Sequence, residues 1–194
     1  MTPVTATETV SLAANVQVDL YDVDELLNRI PGWETMTERE RLEALDGVEP
    51  VGALSAHNVT TLDYRTHLAD LLNPNVDAEP VEATHLAFGN DETPPDETDD
   101  ALEGENYRTE LSDIIQEGER YRTITLLGSD DAVGDELIES GLVTAADPGD
   151  VGDMLVNRVI LDDDRLRPKT TDHAVRIRVD ISYHDVADET EVSS

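Results

Sequence analysis

One carboxylate in this sequence, that of Glu139, stands inside an otherwise apolar run, where its residue type could do chemistry. Glu139 follows Leu137-Ile138 and precedes Ser140-Gly141-Leu142. A carboxylate in this position can serve as a catalytic acid, as one member of a structural ion pair, or as an ordinary solvated strand residue. Each of these three roles implies a different function for the protein. The residues that contact Glu139 therefore decide which function is possible.

Two arginines are placed where they could neutralise Glu139. Arg158 lies inside an apolar segment and Arg108 lies in a strand-like segment. A buried carboxylate is tolerated when it is paired, and an arginine answers it with two parallel hydrogen bonds. We expect a bulge or kink near Ser140-Gly141 that turns Glu139 inward toward these arginines. A structural ion pair is the preferred interpretation, with an exposed strand residue and a functional site as alternatives.

Metal-binding patterns are weak in this chain. There is no cysteine, and no close histidine pair occurs among His57, His67, His85, His173 and His184. Structural zinc is therefore not expected. The acidic stretch 91–100 offers oxygen ligands but lacks the glycine and closing glutamate of an EF-hand loop, so solvated acid is favoured over a calcium site. We predict no metal and no cofactor.

Catalytic motifs are equally weak. No G-x-S-x-G elbow and no phosphate-binding glycine loop occurs in the sequence. A glycosidase needs two carboxylates flanking a cleft, but among 45 acidic residues some pair always lies at a suitable separation. We therefore predict that the protein is not an enzyme.

The charge of the chain excludes several classes of partner. Its 45 acidic and 13 basic residues give a formal net charge of −32, and the acids are spread along the whole sequence. Such a surface repels itself at ordinary salt, whereas a Debye length of about 3 Å at molar salt screens the repulsion, so we infer a halophilic source. No basic patch is available to bind nucleic acid. No apolar run approaches the ~20 residues of a membrane span, and no signal peptide is visible.

The first 78 residues are expected to form an arm and short helices that anchor or oligomerise the protein. Residues 1–20 alternate small, Thr-rich and apolar positions, which could form an extended arm or an edge strand. Helical patterns begin near Val23, Thr37 and Leu62, and Thr37 with Glu40 fits a capping box. Pro31-Gly32 is expected to end the first helix.

From residue 79 the pattern changes to short segments rich in β-branched residues and separated by turn-rich connectors. The last segment alternates between two faces, formed by Val175, Ile177, Val179 and Ile181 on one side and by Arg176, Arg178, Asp180 and Ser182 on the other. We predict a mainly β protein, an antiparallel β-sandwich over residues 79–187 preceded by a small N-terminal α-helical and extended region. Residues 188–194 are expected to be a frayed acidic tail.

The order of motifs over residues 80–184 resembles a domain found in structural proteins of tailed viruses. The motifs are THLAFG before a Pro/Thr/Asp loop, ELIESGLVTA, GDMLVNRVIL and the final alternating strand. They are similar to the N-terminal, virion-attached domain of tail-collar fibre proteins and to small head-fibre or capsid-surface proteins. In those proteins a strand ending in Gly precedes such a loop, and a Glu-x-Gly-Leu step precedes a strand with an Arg. With the acid bias, the resemblance implies a virion protein of a haloarchaeal tailed virus.

We therefore expect a non-enzymatic structural protein, located in the virion, that assembles as a symmetric homo-oligomer on the capsid surface. It would form a vertex turret, a decoration or the base of a head fibre, in contact with other virion proteins and open to contact with the host surface. A tail, baseplate or fibre-attachment protein is the first alternative. Anchoring is assigned to six apolar residues that could equally complete the core, namely Val10, Leu12, Val16, Leu20, Leu26 and Ile30.

Two rivals come from other functional classes. A halophilic carbohydrate-binding module would need an exposed aromatic platform, for which Trp33, Phe88 and five tyrosines are available. A halophilic hydrolase would need polar groups that converge in a pocket.

Overall fold

The computed structural model describes residues 10–185, which form two five-stranded antiparallel sheets packed as a β-sandwich. This confirms the predicted fold class. The strands are β1 (Val10–Asp22), β2 (Gly52–His57), β3 (Val59–Thr60), β4 (His85–Gly89), β5 (Glu105–Glu110), β6 (Asp113–Glu117), β7 (Arg120–Leu127), β8 (Glu139–Val143), β9 (Asn157–Ile160) and β10 (His173–Asp185). The helices are α1 (Val23–Arg29), α2 (Glu38–Leu45) and α3 (Leu62–Leu71), with a short 3₁₀ helix at Trp33–Thr35. The predicted tail at 188–194 lies outside the described residues.

The two sheets differ in strand order. The first sheet has the order β2-β1-β10-β7-β6, and the second has the order β3-β9-β8-β4-β5. Successive side chains of a strand point to opposite faces, and eight of the ten described strands, all except β3 and β6, direct apolar residues into an aliphatic core between the sheets. Leu86, Phe88 and Leu142 reach this core from the second sheet.

The first sheet is built around β1 and β10. They pair over their whole length, from Val10 opposite Asp185 to Asp22 opposite His173. The alternation predicted for β10 is confirmed, because Val175, Ile177, Val179 and Ile181 are all buried in the core.

The predicted boundary at residue 78 is wrong. β1 is an inner strand of the first sheet, β2 is an edge strand of that sheet, and β3 is an edge strand of the second sheet. The strands within residues 10–60 are therefore part of the sandwich rather than of an appended arm. Alternation showed that β1 could be a strand, but its partner β10 lies at the other end of the chain and no local pattern specifies that pairing.

The three predicted helices are present. Thr37 and Glu40 form the expected capping box, with each side chain accepting a hydrogen bond from the other residue's backbone N–H. α1, the 3₁₀ helix and α2 contribute to a second apolar cluster with the first sheet, formed by Tyr21, Leu26, Trp33, Leu42, Leu45, Leu126 and Ala174. None of the described helices has the length and hydropathy needed to cross a membrane.

Candidate functional site

Glu139 and Arg158 meet on the outer face of the second sheet. Glu139 is the first residue of β8 and lies opposite Gly89 of β4, whereas Leu142 points into the core from the same strand. The Oε2 atom of Glu139 is 2.6 Å from Nε of Arg158, and the two side chains are 0% and 1% exposed. The predicted ion pair forms, but it faces away from the inter-sheet core. Alternation in the sequence assigns a residue to one face of its strand. It does not show whether that face packs against the other sheet or is buried by a loop.

The connection between β4 and β5, residues 90–104, covers this pair. Nη1 of Arg158 donates to Oδ2 of Asp99 at 2.8 Å, and Nη2 donates to the carbonyl oxygen of Thr93 at 3.1 Å. The carboxylate of Asp91 lies 3.5 Å from the same Nη2. Every nitrogen of the guanidinium is therefore engaged, and Arg158 ties β9 both to β8 and to the covering loop.

A glycine on the neighbouring strand provides the room for the Glu139 side chain. A Cβ atom added at Gly89 would lie 2.3 Å from Oε1 of Glu139, so a larger residue would displace the carboxylate. The same oxygen accepts a hydrogen bond of 3.0 Å from the backbone N–H of Gly104. Both oxygens of the Glu139 carboxylate are thus hydrogen-bonded. Steric exclusion of any larger side chain explains why the THLAFG segment ends in glycine.

The expected irregularity at Ser140-Gly141 is present only on the side of β9. The β4–β8 register runs without a shift, whereas the β8–β9 pairing changes register by one residue between Ser140, opposite Val159, and Val143, opposite Leu155, with the extra residue on the β9 side. Gly141 is needed for another reason, because a Cβ atom there would lie 2.4 Å from the carbonyl oxygen of Asn157. Close approach of the chain at β9, rather than a bend in β8, explains the Ser-Gly step.

The hydrogen bonds also fix the charge of Arg158. Burial acts to lower the pKa of Arg158, but the hydrogen bonds to Asp99 and Glu139 outweigh burial and hold that pKa above its ordinary value. The guanidinium therefore stays charged. A charged arginine with all of its nitrogens bound, facing a carboxylate with both oxygens bound, is suited to fastening strands and loops.

The predicted pairing of Arg108 with Glu139 is wrong. Nε of Arg108 donates to Glu105 at 2.7 Å, and Nη1 donates to Asp153 at 3.0 Å. Burial acts to lower the pKa of Arg108, but the bonds to these two carboxylates hold it above its ordinary value. Because β4 lies between β5 and β8, Arg108 is one strand too far away to reach Glu139. It fastens the loop that carries Asp153 instead.

A third charged cluster, which sequence reasoning missed, lies on the outer face of the first sheet. Asp19 of β1 accepts hydrogen bonds from Nη2 of Arg176 at 3.1 Å and from Nη2 of Arg178 at 2.6 Å. The Arg176 guanidinium also lies over the ring of Tyr21, 5.6 Å from its centroid. The arginines were placed correctly on the polar face of β10, but their partner became visible only once β1 was known to lie beside β10.

The only lysine of the chain was also missed. Lys169 is 1% exposed, and its Nζ donates to the carbonyl oxygens of Gly128 at 2.8 Å and of Ser129 and Thr170 at 3.4 Å. Burial lowers the pKa of this amine, an effect that Asp131 and Asp130 partly oppose. Its partners are carbonyl oxygens of the chain, so Lys169 holds the loop that follows β7. A single lysine gives no periodic signal by which to find such a role.

The acidic loop 91–100 uses its carboxylates locally. Asp91 accepts from the backbone N–H of Thr93 at 2.7 Å, Asp96 accepts from that of Thr98 at 2.9 Å, and Asp99 binds Arg158. Among the side chains that the structure describes, no group of three or more histidine, aspartate or glutamate residues is placed to hold a metal ion.

Four of the six residues assigned to anchoring lie in the hydrophobic clusters. Val16 and Leu20 are buried in the inter-sheet core. Leu26 is buried in the cluster beneath the helices, and Ile30 packs against that cluster. The core alternative is therefore correct for these four, because β1 enters the sheet and α1 covers it. The side chains at positions 10 and 12 lie outside the part of the chain that the structure describes.

Comparison with known proteins found no matching family model, no matching curated protein and no matching solved structure.

Proposed function

We propose that the protein is a non-enzymatic structural component of a virus particle adapted to high salt. It assembles with copies of itself on the capsid surface, as a vertex turret, a decoration or the base of a head fibre. The observation that carries the proposal is how the fold uses its buried charges. Arg158, Arg108 and Arg176 each bind two or more groups and fasten a strand to a loop or to another strand.

The function of a rigid building block fits this use of charge. Acid–base catalysis needs a group that exchanges a proton with a substrate within hydrogen-bond reach. A guanidinium group whose nitrogens are all hydrogen-bonded within the protein is not free to exchange a proton with a substrate. Instead it holds the loops that it contacts in one arrangement. A subunit that has to pack against neighbours benefits from such rigidity because less entropy is lost on association.

The motifs behind the resemblance to virion proteins also support the proposal. The strand-ending Gly89, the acid Glu139, the glycine at 141 and Arg158 of the last motif belong to one packed unit with the 90–104 loop. Residues that are scattered over 70 positions of sequence therefore act together in one outer layer of the sandwich. A recurring motif set is expected to have such a shared structural cause.

Binding of a small neutral ligand is a second candidate. Trp33 and Phe88 are buried, with 5% and 0% exposure, so neither supplies an aromatic platform. Tyr64 and Tyr121, however, line a cavity of about 430 Å³ together with Glu82 and Arg120. Screening of neutral oligosaccharides by calorimetry tests this candidate, and a Tyr121→Ala variant that abolishes a measured affinity would support it.

The location of the protein in virus particles tests the main proposal. Particles whose genome encodes this chain are purified on a density gradient in high salt, and their proteins are identified by mass spectrometry and by antibody labelling in the electron microscope. We expect a fixed ratio to the major capsid protein and labelling of the capsid surface. Labelling of the tail would select the tail or baseplate alternative. Recovery of the protein only from the host lysate, and not from particles, would refute a virion role.

A further inference from the structure

The two longest stretches of the chain without a charged residue form neighbouring strands. The 13 residues between Glu49 and Asp63 contain no Asp, Glu, Lys or Arg, and neither do the ten residues between Glu8 and Asp19. The first stretch contains β2 and the second contains most of β1, and these strands pair antiparallel. A chain in which 30% of the residues are charged thus leaves one corner of its first sheet neutral.

This neutral corner is on the surface. Five uncharged residues of β1 and β2 are exposed, namely Asn15, Gln17, Ala53, Ser55 and His57. Alternate residues of β2, including Leu54 and Ala56, pack against the inter-sheet core. The exposed five therefore share the outer face of the sheet, which the helices leave uncovered here. We call this set the neutral patch.

The neutral patch ends at an open sheet edge. β2 is the edge strand of the first sheet, with β1 as its neighbour. The backbone N–H of Asn58 donates to the carbonyl oxygen of Ala14 at 3.3 Å. By the alternation of an antiparallel ladder, Ala53, Ser55 and His57 then direct their N–H and C=O groups away from β1, toward the open side.

The opposite edge strand of the first sheet and one edge strand of the second carry the charges that normally prevent edge pairing, whereas the uncharged edge strand β3 has only two residues to offer. β6, at the opposite edge of the first sheet, has Asp113 and Glu117. β5, at an edge of the second sheet, has Glu105 and Glu110 at its ends. β2 has neither a charged residue nor a proline. The Arg165 side chain lies against Val51 and Gly52 at the beginning of the strand, and the edge from Ala53 to His57 is left available for pairing with another strand.

We propose that the β2 edge is the contact between two copies of this chain. β2 pairs antiparallel with β2 of a second copy across a two-fold axis, which makes one continuous sheet from the two first sheets. Each copy carries a net charge of −32, so most contacts between copies would bring carboxylates together. The neutral patches of two copies can contact each other without that repulsion. A basic protein, by contrast, would bind the acidic parts of the surface rather than the neutral patch. This inference rests on the proposed function, because it names the surface used for assembly.

Light scattering after size-exclusion chromatography in about 3 M KCl tests the surface with two variants at one position. Ser55→Asp brings the new carboxylates of the two copies close together at the proposed contact, where they repel each other. Ser55→Pro removes a backbone N–H that points to the open edge, without removing a hydrogen bond to β1. Gln116→Asp, an exposed position on the opposite edge strand, is the matched control. Circular dichroism verifies that each variant is folded.

We expect the wild type and Gln116→Asp to have an even multiple of the 21.3 kDa subunit mass. Both Ser55 variants should fall to half that mass or less, with dissociation at least about 100-fold easier, as for the loss of a central contact. Unchanged masses for both Ser55 variants would overturn the β2 assignment while leaving self-assembly intact. A wild type that stays at 21.3 kDa would overturn both self-assembly and the surface.

Spin labelling adds a readout that does not depend on weakening the contact. The chain has no cysteine, so Ser55→Cys and Gln116→Cys each give a single attachment site. Because paired strands lie about 5 Å apart, labels at position 55 of two copies should be within about 20 Å, and labels at position 116 should be more than about 35 Å apart. The reverse order of the two distances would show that the copies meet elsewhere.

Discussion

At the scale of single residues, Glu139 depends on Arg158 for its counter-charge. Both side chains are almost completely buried, so Glu139 without Arg158 would be a buried charge without a counter-charge, whereas Arg158 without Glu139 would keep its ion pair with Asp99. Sequence reasoning could find this pair, because a charged residue inside an apolar run requires a counter-charge and Arg158 was the charged residue in the next apolar run. It could not find the contributions of Asp99, Thr93 and Gly104, which come from a loop whose folded path has no periodic signal.

We expect a large coupling energy between Glu139 and Arg158. Arg158→Met leaves a buried carboxylate unpaired and should lower the free energy of unfolding by about 3–5 kcal/mol, and Glu139→Gln in addition should restore part of it. Urea unfolding of the two single variants and the double variant in about 3 M KCl measures the coupling.

The exposed pair Glu25–Arg29 is the matched control for this cycle, since its side chains are 44% and 51% exposed. Its coupling should stay below about 0.5 kcal/mol. A coupling for Glu139 and Arg158 no larger than that of the exposed pair would contradict the fastening role.

Gly89→Ala should destabilise the protein by about 1–3 kcal/mol, the usual cost of overpacking. The added methyl group would meet the Glu139 carboxylate, which is held by Arg158 and Gly104 and cannot move without losing those bonds. Gly47→Ala is the control, because nothing lies within 4 Å of a Cβ atom there, and it should be neutral or slightly stabilising. Thermal unfolding of both variants checks this, and equal effects would rule out the steric explanation for Gly89.

Asp163 should make part of the stability depend on acid pH. The hydrogen bond from the Arg165 side chain, 2.9 Å from Nε, outweighs burial and holds the pKa of Asp163 below its ordinary value. Because folding lowers this pKa, the stabilisation is complete above the unfolded value of about 3.9 and is lost as the pH falls through the folded value. Asp163→Asn should therefore cost about 1 kcal/mol at neutral pH and almost nothing near pH 2. Unfolding curves at both pH values test this, and an equal cost at both would contradict it.

At the scale of elements, local patterns predicted the helices and the character of the last strand. The capping box of Thr37 and Glu40 and the alternation of β10 are local rules that the structure confirms. The role of β1 could not be predicted in this way, because its neighbour β10 is about 160 residues away and pairing over such a separation depends on the whole fold. The division at residue 78 was wrong for this reason.

A fragment beginning at residue 79 should therefore fail to fold. It lacks β1 and both of the strands at 52–60, so β10 would lose its longest partner and the core would lose Val16, Val18 and Leu20. Circular dichroism and amide exchange in about 3 M KCl should show no cooperative unfolding transition, whereas residues 10–185 should show one. A cooperative transition in the shorter fragment would restore the boundary at 78.

At the scale of the whole molecule, charge connects stability with assembly. The net charge of −32 opposes both the compact state and any contact between copies, and salt screens both effects. Buried arginine cross-links hold the loops of the chain. In the assembly that we propose, the neutral patch gives the copies one surface on which they do not repel each other. Composition predicted the dependence on salt, but the location of the neutral patch required the pairing of β1 with β2.

The most direct test of self-assembly is the mass of the unmodified protein by sedimentation equilibrium as KCl is raised from about 0.2 M to about 3 M, over which the Debye length falls from under 10 Å to roughly 2 Å. We predict that the mass rises from 21.3 kDa to a plateau at an even multiple of that value. A mass of 21.3 kDa at every salt and protein concentration, or a mass that falls as salt is added, would contradict a role as an assembling structural subunit.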